Sequence, residues 1–128
     1  MFSHVALGAD DIEAARCFYD AALGALGVPP GVVDAWGRLI YSHAGGRFLI
    51  TKPLNGETAS GANGGTLGFV AASTEAVDAW HAAGAANGGA AIEDPPGIRH
   101  VTAGRTVYLA YLRDPAGNKL CAFHKVSG

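Results

Sequence analysis

The sequence is poor in cysteine and in charge. Cys17 and Cys121 are its only two cysteines, and they lie far apart with no C-x-x-C pair. A disulfide framework or a structural zinc site is not indicated, and a reduced, cytoplasmic setting fits best. Charged residues fill 16% of the 128 positions, 9 Lys+Arg against 11 Asp+Glu, and form no basic stripe. That balance argues against a nucleic-acid or anionic-membrane surface, so neither partner is expected. No apolar run approaches the ~18 residues of a membrane helix. Asp10 and Asp11 follow MFSHVALGA too soon for a secretory leader. G-x-S-x-G, H-E-x-x-H and G-x-x-x-x-G-K-[ST] are missing. The Gly-rich stretch GANGGTLG is not a nucleotide loop, because it leads into a strand instead of joining a strand to a helix.

What the chain does have is small residues, 19 Gly and 25 Ala, within an apolar fraction of 49%. Such a composition belongs to a globular domain with tight turns and close backbone approaches. Phe2 to Leu7 reads as a strand ending at Gly8. Asp10 or Asp11 can then cap a helix whose apolar positions Ile12, Ala15, Phe18, Tyr19, Ala22 and Leu23 recur at helical spacing. Gly24, Gly27 and Pro29-Pro30 end it. Short strands are expected near 32–35, 38–43 and 47–52, with Gly45-Gly46 turning between the last two. After a polar, Gly-rich linker the pattern restarts: a strand at 65–71, a helix capped by Ser73 or Thr74, a weak strand at 91–93, a loop at Pro95-Pro96-Gly97, and strands at 106–112 and 119–124 around Asp114-Pro115-Ala116-Gly117-Asn118.

A shift of 62 residues superimposes Glu13 on Glu75, Ala14 on Ala76, Phe18 on Trp80, Ala21 on Ala83 and Gly27 on Gly89. This internal repeat divides one domain into module one (1–53), a linker (54–64) and module two (65–128). Each unit of about 60 residues is too small to bury much core alone, so the two are expected to share one. The expected class is α+β: two βαβββ modules forming one curved, cup-shaped mixed sheet with helices outside.

His4-Val5-Ala6-Leu7 followed by Asp11-Ile12-Glu13-Ala14-Ala15-Arg16-Cys17-Phe18-Tyr19 resembles the opening of the vicinal oxygen chelate superfamily. That superfamily holds glyoxalase I, the fosfomycin and bleomycin resistance proteins and the extradiol dioxygenases. Gly65 to Phe69 with the helix from Glu75 to His81 resembles its second module, and Asp114 to Leu120 its closing turn and last strand. The resemblance implies a cup in which active members hold a divalent metal that chelates neighbouring substrate oxygens, and it implies a homodimer. On the family's ligand positions this chain has His4 on the first strand, Thr66 in place of the usual His, Cys121 in place of Glu, and a fourth position near Leu49. About three imidazole or carboxylate ligands are needed for such a metal, so the set is incomplete. Loss of the carboxylate also removes the candidate base.

The expectation is therefore a protein that binds a small polar or aromatic molecule in its cup. The alternative is a metal-dependent lyase, isomerase or dioxygenase working through a rearranged site, with Zn, Ni, Fe or Mn held by His4 together with Cys121. Candidate ligand-contacting residues are His4, Tyr41, His43, Thr66, Arg99, Tyr108, Tyr111 and Cys121. Tyr108 and Tyr111 sit at odd separation on one strand and so face opposite sides. Arg99 and His100 are expected in a loop over the cup mouth, where an Arg could hold a carboxylate or phosphate. His81 and His124 read as surface or helix-edge histidines.

Overall fold

The structure, a computed structural model, describes residues 1–127. Its elements run β1 (Val5–Gly8), α1 (Ile12–Gly24), β2 (Val32–Val33), β3 (Leu39–His43), β4 (Gly46–Thr51), β5 (Leu67–Val70), α2 (Thr74–Ala86), β6 (Ala90–His100), β7 (Thr106–Arg113) and β8 (Lys119–Ser127). The order βαβββ occurs twice. The shift of 62 seen in the letters carries Val5 onto Leu67, the cap Asp11 onto Ser73, and the whole of α1 onto α2. Both caps work alike: Asp11 accepts from the Ala14 N–H and Ser73 from the Ala76 N–H, which satisfies a donor that the first helical turn leaves free.

The strands pair in two four-stranded mixed sheets, β1-β4-β3-β2 and β5-β8-β7-β6. In each, the first strand lies parallel to the last and the other pairs are antiparallel. No ladder joins the two sheets among the described residues. What joins the modules is one apolar core beneath both helices, holding Phe18, Tyr19 and Leu23 of α1, Val77 and Trp80 of α2, and strand residues such as Ile50, Leu112 and Leu120. Phe48 of β4 meets Phe69 of β5 edge-on at 5.5 Å between ring centres. Small residues set the helix spacing. A Cβ at Gly84 would lie 2.4 Å from the Leu112 side chain and 3.0 Å from the Phe18 ring, so α1 approaches α2 only over a glycine.

The Asp114-Pro115-Ala116-Gly117-Asn118 turn is a latch between modules. One carboxylate oxygen of Asp114 accepts from the Ala116 and Asn118 backbone N–H groups, at 3.0 and 2.9 Å. The other accepts from the Tyr19 hydroxyl at 2.5 Å and from Asn118 Nδ2 at 2.9 Å. Asn118 Nδ2 also reaches across to the Gly8 carbonyl at 3.0 Å. Asp114 and Asn118 are the buried polar residues of the chain among those described, and their burial is tolerable because nearly every polar atom is partnered.

Two local expectations are corrected. The β3–β4 turn is Ala44-Gly45, not Gly45-Gly46: His43 pairs with Gly46, and the two residues between have φ of 50° and 83°, the both-positive signature of a type I′ hairpin. The Pro95-Pro96-Gly97 segment is not a loop but lies inside β6. Its ladder slips between Ile92 and Gly97, so the prolines sit where no ladder N–H is required. Arg99 and His100 thus lie on a strand, opposite Val107 and Thr106. Among the described residues no helix is long and apolar enough to cross a membrane.

Candidate functional site

Strand alternation assigns every side chain to the helix side or to the open side. On β4, Phe48 and Ile50 join the helix-side core, so Leu49 faces away. On β8, Leu120 and Ala122 face the helices and Cys121 and Phe123 face away; on β7, Ala110 and Leu112 face in, and Val107, Leu109 and Tyr111 face out. These outward residues form a second, small apolar cluster, in which Val107, Leu109 and Cys121 are buried and Tyr111 and Phe123 half-buried. Val70 beside it is 86% exposed.

The four family positions fall at matching places. Ala6 pairs with Leu49 and Gly68 with Cys121, while His4 and Thr66 each lie two residues before those strand partners. His4 is exposed, and its Nδ1 shares a 2.8 Å hydrogen bond with Ser3 Oγ. Thr66 is exposed at the foot of β5. Leu49 has no donor. Cys121 is 5% exposed. Burial, and next the nearby Glu93 carboxylate, push its thiol up to about 11, so the thiol is held protonated at neutral pH. One imidazole, one hydroxyl, one isobutyl group and one protonated thiol do not fit a borderline divalent metal. Among the described residues no three His, Cys, Asp or Glu side chains converge elsewhere.

The other candidates divide by strand face. Tyr111 stands opposite Cys121 on the open side, with the Lys119 ammonium 4.8 Å from its ring centre. Burial, then Cys121 and Glu93, raise its hydroxyl pKa. Tyr41 and Tyr108 do not line the open face. Tyr41 is buried and donates to Asp20 of α1 at 2.7 Å, and Tyr108 donates to Asp78 of α2 at 2.7 Å. The parity that puts Tyr111 outward puts Tyr108 inward, and on β3 the same holds for Tyr41 against Ile40. His43 is exposed at the end of β3 beside the hairpin turn. Arg99 shares the open side with Val107, yet its guanidinium is turned onto the carbonyls of Asp94, Pro95 and Ile98 at 2.9 to 3.3 Å. His124 is half-buried, its Nδ1 2.9 Å from the Ala71 carbonyl, so it is a strand-end contact and not a surface residue.

Sequence reasoning missed three charged residues that frame this face. Lys119 and Arg113 are ladder partners at its foot. Glu93 contacts the Lys119 ammonium from a left-handed backbone conformation, φ 60°, inside the β6 bulge, a conformation uncommon outside glycine. The signal was present as alternation: Val107, Leu109, Tyr111 and Arg113 on one strand, Lys119, Cys121, Phe123 and Lys125 on the next. A wide, shallow cleft of 1160 Å³ lies elsewhere, between the start of α1 and Trp36, Arg38 and Lys52. Of its acids Asp10, Asp11 and Glu13, two are engaged, Asp11 as the α1 cap and Asp10 on the Ala59 N–H, and its Arg38 is paired with Asp34.

Comparison with known proteins places this geometry. Over 97% of this chain and 98% of the other, the structure matches a glyoxalase/bleomycin resistance protein from Albidiferax ferrireducens T118 with 55% identity and a TM-score of 0.92. A lactoylglutathione lyase from Agrobacterium tumefaciens shares the fold at 23% identity and a TM-score of 0.65, over 97% and 92% of the two chains. So does a glyoxalase-related enzyme from Fulvimarina pelagi, at 18% identity and a TM-score of 0.72, over 97% and 88%. No protein with a curated functional description matches the chain. The family model described as Glyoxalase/Bleomycin resistance protein/Dioxygenase superfamily matches residues 1–122, and the chain belongs to that superfamily.

Proposed function

We propose that this protein binds a small polar or aromatic molecule on the open face of its second module, without metal chemistry of the family type. The observation that carries the reading is the donor set at the four matched positions, His4, Leu49, Thr66 and Cys121, which lacks the carboxylate and the second imidazole that a borderline metal requires. In place of ligands, module two presents the half-buried rings of Tyr111 and Phe123 over a buried apolar layer of Val107, Leu109 and Cys121. An apolar patch with a few polar groups around it is the usual chemistry of a small-molecule site. Cys121 serves as part of that layer, since a buried, protonated thiol is a poor nucleophile. The reading includes a homodimer, supported by the exposed apolar residues Phe2, Val32, Trp36, Leu54 and Val70, and a reducing cytoplasmic setting, supported by two free thiols.

Metal analysis of the purified protein tests the central claim. Zinc, nickel, iron and manganese are expected at far below one equivalent. The double variant Thr66→His, Cys121→Glu supplies an imidazole and a carboxylate and is expected to take up a divalent ion that the parent does not. A near-stoichiometric metal in the parent, lost on His4→Ala, would sink the reading. Sedimentation at several concentrations tests the dimer, with a concentration-independent monomer as the refuting result.

A further inference from the structure

The strand alternation that creates the open face also sorts the charges. Arg99, Arg113, Lys119 and Lys125 all share the open-side parity on the second sheet, with Glu93 as the acid among them, while α1 and α2 carry the acids Glu13, Asp20, Glu75 and Asp78 against one cation, Arg16. A chain of net charge −2 thus has one basic side. At the foot of that side lies a polar groove of about 570 Å³, walled by the Gly-rich backbone of residues 61–65 with Thr66, Arg113, Gly117 and Lys119. The wall is held close. A Cβ at Gly61 would lie 2.5 Å from the Gly117 carbonyl oxygen, so the linker lies directly on the latch turn.

The two cations of the groove differ. Lys119 is already engaged with Glu93. Arg113 gives one N–H to the Gly117 carbonyl at 2.7 Å and, among the described residues, has no carboxylate at ion-pair distance. Its remaining N–H donors are free for a ligand in the groove that Thr66 also lines. From Lys119 to Cys121 is a rise of about 6.6 Å along the strand, a distance that a benzoate-sized acid spans.

Resting on the reading above, we propose that this groove is an anion subsite, and that the ligand of the open face is a monoanion with a flat apolar body, an aromatic carboxylate in class. The carboxylate lies against Arg113 and Thr66. The ring lies against Tyr111 and Phe123, above the buried Cys121. One negative charge matches the one cation of the groove without a carboxylate partner, whereas a dianion would place its second charge near the Glu93 carboxylate that holds Lys119.

The test is amide-resolved NMR titration of the full chain with benzoate, benzyl alcohol and inorganic phosphate. Shifts are expected on β7 and β8, with benzoate binding about tenfold more tightly than benzyl alcohol, since a charge-assisted contact to Arg is worth at least ~1.4 kcal/mol. Arg113→Gln is expected to remove that preference by weakening benzoate far more than benzyl alcohol, and Arg113→Lys to keep most of it. Equal binding of the two probes, or an Arg113→Gln variant that keeps the preference, would overturn the anion subsite while leaving an open-face site standing. Phosphate binding more tightly than benzoate would overturn the monoanion assignment. If no probe moves any β7 or β8 amide, both the subsite and the open-face reading fail.

Discussion

Replacing Tyr19 with Phe removes one oxygen atom, and the structure says what that atom does. Tyr19 is fully buried, and its hydroxyl donates to Asp114 Oδ2, which otherwise has only Asn118 Nδ2. The bond runs from α1 of module one to the β7–β8 turn of module two, so its loss is felt between modules. A hydrogen bond to a charged acceptor contributes ~1.5–3 kcal/mol. Asp114 retains three of its four donors, so the expected loss is about 2 kcal/mol, in the lower half of that range. With an unfolding entropy of ~2.1 cal/mol/K per residue over 128 residues, the melting temperature should fall by about 7 °C. In urea, with a slope of ~2 kcal/mol/M, the midpoint should fall by about 1 M at constant slope. Asp114→Ala strands four donors at once, and a loss of about 4 kcal/mol is expected. The double variant should be less destabilised than the sum of the two, because each single change already breaks the shared bond. A Tyr19→Phe variant within ~0.5 kcal/mol of the parent, or strict additivity with Asp114→Ala, would refute the latch.

Three further outcomes are expected. Gly84→Ala should lose about 1 kcal/mol in urea titration, because overpacking against Leu112 and Phe18 costs more than the ~1 kcal/mol that alanine returns to a helix; Gly24→Ala, whose Cβ would meet nothing within 4 Å, should gain ~0.5 kcal/mol, and the reverse order would contradict the packing. In iodoacetamide labelling near pH 8 read by peptide mass, exposed Cys17 should react first and Cys121, at about 11, about two orders of magnitude more slowly than a thiol of ordinary ~8.5; equal rates would show an open, ionised Cys121. Burial, with the Asp114 and Asp20 carboxylates beside them, raises the pKa of Tyr19 and Tyr41 above the usual 10.0. Both groups keep their proton in the fold more firmly than unfolded, so their contribution is complete below pH ~10 and is lost as pH climbs toward the folded values. Urea midpoints should hold from neutrality to about pH 9 and then fall, and less steeply for Tyr41→Phe; an identical alkaline slope would be inconsistent with a buried, carboxylate-bound Tyr41.

The amino-acid order by itself determined the duplication. Helical and strand periods are local, and a repeat with a shift of 62 needs no tertiary information, which is why α1 and α2 and β1 and β5 lie where the letters place them. The departures at the matched metal positions, Thr66, Cys121 and Leu49 for the family's ligands, were equally legible, because a missing donor is a property of the residue type. Tertiary structure alone decided the sides. Alternation says that Tyr108 and Tyr111 face opposite ways, but only α2 packing on one face says which is which. The same packing turned Tyr41 onto Asp20 and gathered Arg113 and Lys119 on the open side. The Asp114-to-Asn118 turn was readable as a motif, but its partners, Tyr19 and the Gly8 carbonyl, lie about a hundred residues away in sequence. No local propensity carries contacts of that range, and they form only when burial brings both modules onto one core.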